Sequence, residues 1–224
     1  MVVRVLVWCR DSRRGARRRS PALARVAAKK APIAKQDYPL KKFAAAPSFD
    51  LWLSRNHAKA EGIRIQIAKK SSGIRSISYA EALDVALCYG WIDGQSKSID
   101  DQWYWQRFTP RRSRSLWSKR NRDIVARLIA EGRMRPAGQA EIDRAKADGR
   151  WDAAYDSPAN AQVPADLAAA LEKSKKARTF FESLDSQNRY AILHRLMTAN
   201  KPETRARRLA TFVQMLREGR KLYP

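Results

Sequence analysis

The order of two hydrophobic periods along the chain limits the fold that it can adopt. Apolar residues alternate with polar ones in GIRIQIAKK (62–70), as they do in a strand with one buried face. Two more strand-like runs, near 91–99 and 102–109, are separated by a pair of aspartates, and Gly94 predicts a bulge or a close backbone approach within the first run. After residue 118, apolar residues recur only at helical spacing. The sequence therefore predicts an α+β fold, in which a small antiparallel sheet with packed helices is followed by a helical C-terminal unit.

Capping signals predict where the helices begin. Ser48 precedes an apolar helical face and is the predicted N-cap of the first helix. The run SYAE is a capping box, with Ser78 at the cap and Glu81 three residues later. The helix that it opens is apolar nearly all round, so we expect it to be buried and to end at Gly90. Ser118 is the predicted cap of a later helix.

Composition divides the chain into three stretches. Residues 1–47 are predicted to be a basic, disordered head and linker, because they are rich in arginine, alanine and proline and lack regularly spaced apolar residues. Residues 48–150 contain the predicted sheet with its helices and form the α+β unit. Residues 151–224 begin with a connector and form the helical C-terminal unit, which we expect to pack on the first.

Excess positive charge extends over the whole chain. The 224 residues carry a formal net charge of +24. Residues 1–37 contain eleven basic and two acidic residues, and residues 38–224 contain thirty-five basic and twenty acidic ones, so the predicted folded part is itself basic. Such a field attracts nucleic acids, phosphates and acidic partners. It argues against direct capture of cationic peptides, which it would repel.

The lack of a secretory signal and the small number of cysteines predict a cytoplasmic location. Arg4 interrupts the only apolar run of the head, so the head lacks the apolar core of a secretory signal. Its arginine-rich composition fits an organelle transit peptide, a plain basic tail or an extension from an upstream start codon. No apolar run is long enough to predict a membrane span. Cys9 and Cys88 provide neither a disulfide framework nor a cysteine metal cluster, so a reducing compartment suits them.

The most unusual run is QRFTPRRSRSLWSKRNR (106–122), which contains seven basic residues and no acid. It joins a predicted strand to a predicted helix, a position where loops often carry binding residues. Guanidinium groups, hydroxyls and a helix N-terminus can hold a phosphate or carboxylate, and indole rings can stack on a base. The predicted ligand-binding residues are Asp93, Arg107, Arg111, Arg112, Arg114, Ser115 and Trp117. Trp103 and Trp105 are either further flat surfaces or core residues, and each arginine taken singly also fits a solvated rim.

Motifs for established chemistries are missing. The sequence has no glycine-rich nucleotide loop, no HExxH and no CxxC, and its two histidines, His57 and His194, lie far apart. We therefore predict no metal and no cofactor, and we assign no catalytic residue. Asp93, Asp100 and Asp101 lie near the arginines and suit either acid–base catalysis or turns and ion pairs.

Four long segments of the chain carry a family resemblance. They are YAEALDVALCYGWIDGQ (79–95), QRFTPRRSRSLWSKRNR (106–122), AEGRMRPAGQAEIDRAKADGRWDAAYD (130–156) and NRYAILHRLMTANKPETRARRLATFVQML (188–216). Together they resemble the bacterial YdeI/OmpD-associated family from about Ser48 to the C-terminus, without the basic head. The resemblance implies protection against bacteriocins or cationic antimicrobial peptides and an association with an outer-membrane porin. It assigns no active-site residue, and an effect on a porin would be indirect because the chain shows no export signal.

Three functions follow from these patterns. The first, which we favour, is a non-enzymatic stress- or bacteriocin-protection protein that binds an anionic small molecule or nucleic acid at the arginine–tryptophan site. The second is an enzyme acting on a small acidic substrate held by the same arginines, with Asp93 or Asp101 moving a proton. In the third, the helical unit binds a protein partner through an apolar surface patch.

Overall fold

A computed structural model describes residues 37–224, and the predictions for residues 1–36, including Cys9 and the targeting signals, lie outside the described residues. The described chain forms one compact unit with a single sheet and helices packed after it, so the predicted α+β class is confirmed. Its strands and helices are β1 (Leu40–Lys42), α1 (Ala46–Asn56), β2 (Ile63–Ala68), α2 (Tyr79–Cys88), β3 (Trp91–Ser98), β4 (Trp103–Pro110), α3 (Lys119–Ala130), α4 (Pro136–Ala147), α5 (Ala165–Glu172), α6 (Lys175–Glu182), α7 (Ser186–Met197) and α8 (Pro202–Arg217).

The sheet is mixed, whereas the sequence predicts an antiparallel one. Its strand order is β1-β2-β4-β3, and β1 pairs parallel to β2 while the other neighbours are antiparallel. The parallel pair arises because α1 carries the chain back to the start of the sheet between β1 and β2. Strand β1 lies in a stretch predicted to be linker, and its three residues are too few to show a hydrophobic period.

The hairpin of β3 and β4 forms where the sequence predicts it. Asp100 closes the turn by accepting hydrogen bonds at Oδ1 from the backbone N–H groups of Gln102 and Trp103, at 2.8 and 2.7 Å. The β3–β4 register shifts between Asp93 and Ser96, which confirms the predicted bulge around Gly94. The bulge sets which side chains of β3 share a face with those of β4.

The predicted caps of α2 and α1 have different outcomes. The predicted box at α2 is confirmed, since Ser78 Oγ accepts from the Glu81 N–H at 3.3 Å and the Glu81 carboxylate accepts from the Ser78 N–H at 2.8 Å. The prediction of Ser48 as the cap of α1 is wrong, because the N-cap is Ala45 and the Ser48 hydroxyl donates to the Ala45 carbonyl at 2.7 Å. Pro47 in the first turn suits this earlier start, since a first-turn N–H needs no helical partner.

Two apolar cores lie along the described chain. The first packs one face of the sheet against α1–α4 and includes Phe49, Ile65, Phe108, Trp117 and Leu128. The second lies among α5–α8 and includes Leu167, Phe181, Ile192, Phe212 and Leu216. Between them, the Tyr155 ring contacts the His194 ring edge-to-face at 4.6 Å, and the Tyr190 hydroxyl donates to the Asp156 carbonyl at 2.9 Å. The sheet face opposite the first core carries the candidate site.

Candidate anion-binding surface

Arg111 and Trp117 belong to the interior of the protein. Arg111 is only 5% exposed, and its guanidinium carbon lies 3.6 Å from the centroid of the Trp117 ring. Its Nη1 donates to the Leu116 carbonyl at 3.1 Å. Trp117 is itself 2% exposed and packs against Trp151 with ring centroids 5.0 Å apart. These two predicted site residues therefore hold the loop after β4 in place, and the Trp117 ring is not open to a ligand.

The positive charge of the buried Arg111 guanidinium is balanced by few favourable contacts. Burial lowers its pKa to about 10, against the opposing effects of Tyr155, Glu141 and Asp93. Its Nε and Nη2 are buried without a hydrogen-bond partner among residues 37–224. The group still carries its charge at neutral pH, and it is stabilised by the stack on the Trp117 ring and by the Nη1 hydrogen bond to Leu116.

Arg112, Arg114 and Ser115 form a tight turn before α3. The Arg112 N–H donates to Ser115 Oγ at 2.9 Å, and the Ser115 N–H donates back to the Arg112 carbonyl at 2.8 Å. Arg150, which follows α4, stabilises the turn by donating a hydrogen bond from Nη1 to the Ser115 carbonyl at 2.8 Å. The Ser115 hydroxyl is thus engaged within the turn, while Arg112 and Arg114 are exposed to solvent.

Asp93 has a structural partner at the start of α2. Its Oδ2 accepts a hydrogen bond from the Tyr79 hydroxyl at 2.9 Å. Burial, followed by the charge of Asp93, raises the pKa of Tyr79 to about 12, although Arg120 acts in the opposite direction. The phenol therefore stays protonated and continues to donate, so that Asp93 ties β3 to α2.

Arg107 lies on the outer face of the sheet together with the two tryptophans of β4. Gln106 and Phe108 point into the protein, so the alternation of a strand places Trp103, Trp105 and Arg107 on the opposite face. Side chains two residues apart on one face are separated by about 6.8 Å. Both tryptophans are half-buried, and neither belongs to the first core.

Cations from the neighbouring strands surround these tryptophans. Lys42 Nζ of β1 lies 4.5 Å from the centroid of the Trp103 ring, and Arg64 Cζ of β2 lies 5.7 Å from that of Trp105. Arg64 is also the register partner of Arg107, and Lys97 of β3 is the partner of Trp105. We call this set the sheet platform, and its members are Lys42, Arg64, Lys97, Trp103, Trp105 and Arg107.

The sheet platform keeps an excess of positive charge. Arg64 forms a salt bridge of 2.7 Å with Asp37, an exposed residue at the edge of the described chain. Lys42, Lys97 and Arg107 form no salt bridge with any residue of 37–224. The Arg107 guanidinium lies against Gly94, where an added Cβ would be 2.8 Å from Nε, and this Nε is buried without a hydrogen-bond partner in the same range. An anion at this face would meet cations that the described protein does not neutralise.

The structure distributes the seven predicted site residues over four places. Arg111 and Trp117 are interior, Asp93 faces α2, and Arg112, Arg114 and Ser115 form the turn, so Arg107 alone of the seven lies on the platform. Sequence reasoning missed Lys42, Arg64 and Lys97. The alternation of Arg64 with buried isoleucines was a usable signal, whereas Lys42 lies in a strand of three residues that gives none.

Two other features of the described chain bear on its chemistry. Across residues 37–224, no group of three or more His, Cys, Asp or Glu side chains is arranged to hold a metal ion. None of the helices in this part of the chain combines the length and the apolar character needed to cross a bilayer.

Family models match two separate parts of the chain. Residues 160–219 match the family described as "Bacteriocin-protection, YdeI or OmpD-Associated". Residues 41–141 match a different family model, a domain of unknown function (DUF8412). The predicted family resemblance is therefore confirmed for the C-terminal helices, while the sheet platform lies in the part that resembles the other domain. No curated protein and no solved structure matches the chain.

Proposed function

We propose that this protein is a non-enzymatic binding protein whose sheet platform takes a single-stranded nucleic acid. The observation that carries the proposal is the alignment of Trp103, Trp105 and Arg107 on one face of β4, between cations of β1, β2 and β3. Indole rings stack on bases of any sequence, and lysine and arginine side chains neutralise phosphates. Both kinds of contact are available on this face within one strand length.

An unpaired strand suits the platform better than a duplex. Stacking on Trp103 and Trp105 needs bases whose faces are free, and duplex bases already stack on each other. Trp103 and Trp105 are attached to β4 two residues apart, a rise of about 6.8 Å, so successive bases of an extended strand can meet successive rings. Four-stranded sheets with aromatic residues on an open face bind single-stranded RNA by the same physical means.

The turn after β4 extends the proposed path of the ligand. Arg112 and Arg114 follow the end of β4 directly and are exposed, so they can meet phosphates that lie beyond Arg107. Arg111, Trp117 and Ser115 act indirectly, since they fix the turn through the stack and hydrogen bonds described above. Asp93 contributes by fixing β3 beside Arg107.

A stress- or bacteriocin-protection role is the biological setting that we propose for this binding. The match of residues 160–219 supports it, since the description of that family names bacteriocin protection. The net charge of +24 repels cationic peptides, so protection by this chain would act through an anionic ligand and not through capture of the peptide.

The test is fluorescence anisotropy with labelled oligothymidine, read at several salt concentrations. We expect the single strand to bind more tightly than the same strand annealed to oligoadenine. Replacing both Trp103 and Trp105 by alanine should weaken binding by roughly 30-fold or more, since stacking contributes about 1–3 kcal/mol per base and two rings are lost. Arg107→Gln should reduce the slope of log K against log salt by about 0.7, the share of one phosphate contact on a single strand.

Matched variants separate the platform from the general positive field. Tyr223→Ala removes an aromatic ring that is 40% exposed elsewhere, and Arg55→Gln removes an exposed cation of α1. Both controls should bind like the wild type. Tighter binding of the duplex, or a double tryptophan variant that binds like Tyr223→Ala, would rule out the proposed site.

A further inference from the structure

A groove in the second core opens between α6 and the end of α8. It has a volume of about 580 Å³ and is lined by Lys175, Lys176, Thr179, Phe180, Ser183, Leu216 and Gly219. Its floor is apolar, because the half-buried Phe180 ring lies there and packs on the second core, to which the fully buried Leu216 belongs. Gly219 has no side chain to cover the ring, and a Cβ added there would lie 3.9 Å from Phe180 Cε2. A bulky apolar side chain from outside can therefore rest against Phe180.

The rim of the groove carries unpaired positive charge. Lys175 and Lys176 are exposed in the first turn of α6, a turn that contains no acidic residue. Neither lysine forms a salt bridge with a residue in the described part of the chain, although Glu218 is near enough to Lys176 to feel its charge. Arg217 adds a further cation at the same end of α6, where its Nε donates to Ser174 Oγ at 3.3 Å. The groove thus combines an apolar floor with a cationic rim.

From this combination we infer that the groove docks an acidic segment of a partner protein, which inserts one bulky apolar side chain against Phe180. Carboxylates beside the inserted side chain would meet Lys175 and Lys176. The inference is independent of the sheet platform, since it rests on residues of the second core and on a different kind of partner.

The shape of the groove favours a peptide over a free fatty acid. It is broad and shallow, and a free alkyl chain needs an enclosed cavity to leave water along its whole length. A peptide needs only one anchor side chain in a groove of this kind and can place its charged neighbours at the rim.

The test uses the full chain and a labelled synthetic peptide of glutamate and aspartate residues with one central tryptophan. Binding is read by fluorescence anisotropy against a second peptide in which alanine replaces the tryptophan. We expect the tryptophan peptide to bind about tenfold more tightly, because its ring buries apolar surface on Phe180. The double change Lys175→Glu with Lys176→Glu should weaken binding at least tenfold. Thr179→Trp, which fills the groove without changing charge, should do the same.

Each variant has a control that matches its chemistry. The pair Lys59→Glu with Lys201→Glu makes the same change in net charge at exposed sites away from the groove, and Thr211→Trp adds the same ring on the exposed side of α8. These controls, and the double alanine variant of Trp103 and Trp105, should bind the peptide like the wild type. Circular dichroism melting confirms that each variant is folded.

Three outcomes would overturn the inference. The first is equal binding of the tryptophan and alanine peptides, which would reduce the contact to general charge attraction. The second is wild-type binding by the groove variants. The third is displacement of the peptide by laurate or by anionic phospholipid vesicles, which would make a lipid the occupant.

Discussion

At the scale of single residues, burial decides what an arginine does. Arg111 and Arg112 are neighbours of one type, yet Arg111 stacks inside the protein on Trp117 while Arg112 faces solvent. No sequence pattern separates them, because the loop after β4 has no period that would tell inward from outward positions. Charge counting alone therefore overestimates the binding surface in this run and assigns to a ligand a residue that holds the loop.

Alanine substitution distinguishes these two roles. Arg111→Ala should lower the free energy of unfolding by about 2–4 kcal/mol, because it leaves a cavity against Trp117 and removes the hydrogen bond to Leu116. Arg112→Ala should change it by less than about 0.5 kcal/mol, as exposed substitutions do. Urea unfolding followed by tryptophan fluorescence measures both. Equal effects of the two variants would contradict the interior position of Arg111.

At the scale of elements, a glycine sets how closely α4 approaches α2. Gly138 is buried within α4, and a Cβ added there would overlap the carbonyl oxygen of Cys88 and lie 2.6 Å from Met134 Sδ. The Arg135 N–H donates to the same carbonyl at 3.2 Å, so the end of α2 and the start of α4 are joined through their backbones. At this position helix propensity favours alanine, whereas the close packing of α4 on α2 favours glycine.

The Gly138→Ala substitution tests whether helix propensity or close packing has the larger effect on stability. Alanine is favoured over glycine by about 1 kcal/mol inside a helix, but forcing the Cβ against a backbone oxygen should cost about 3 kcal/mol, the upper end of the range for overpacking. We therefore expect net destabilisation in thermal melts. The control, Ala140→Gly at an exposed position of the same helix, should cost about 1 kcal/mol through propensity alone. A stabilised Gly138→Ala variant would show that α2 and α4 do not pack this closely.

At the scale of the whole molecule, the presence of two cores raises the question of whether they unfold together or separately. The tryptophans of the described chain all lie between Trp52 and Trp151, and four of them belong to or pack against the first core, so a change in their fluorescence reports on the part that contains this core. The second core contains phenylalanine, leucine and isoleucine but no tryptophan. The predicted division between residues 48–150 and 151–224 can therefore be examined with two optical probes.

Core truncations in each part test this division. We predict that Leu196→Ala, at a fully buried site of the second core, lowers the denaturation midpoint seen by far-ultraviolet circular dichroism and leaves the tryptophan midpoint unchanged. Leu128→Ala, at a fully buried site of the first core, should lower the tryptophan midpoint. Each truncation should cost about 2–5 kcal/mol in its own part. If each variant shifts both probes equally, residues 37–224 unfold as one cooperative unit.

The sequence by itself determined the elements whose signals are local. The isoleucine alternation of β2, the turn at Asp100, the bulge at Gly94 and the capping box at Ser78 each depend on residues a few positions apart, so a single pass along the chain reveals them. The α+β class follows from the order of these elements.

Only the tertiary structure decided which side chains share a surface. The parallel pairing of β1, the burial of Trp117 and the position of Trp103 and Trp105 outside the first core depend on contacts between segments far apart in the chain. Lys42 and Arg107 reach one face because strand register, which arises when the strands pair, places them there. A sequence shows charge and period, but a binding surface depends on which residues the fold brings together and leaves open to solvent.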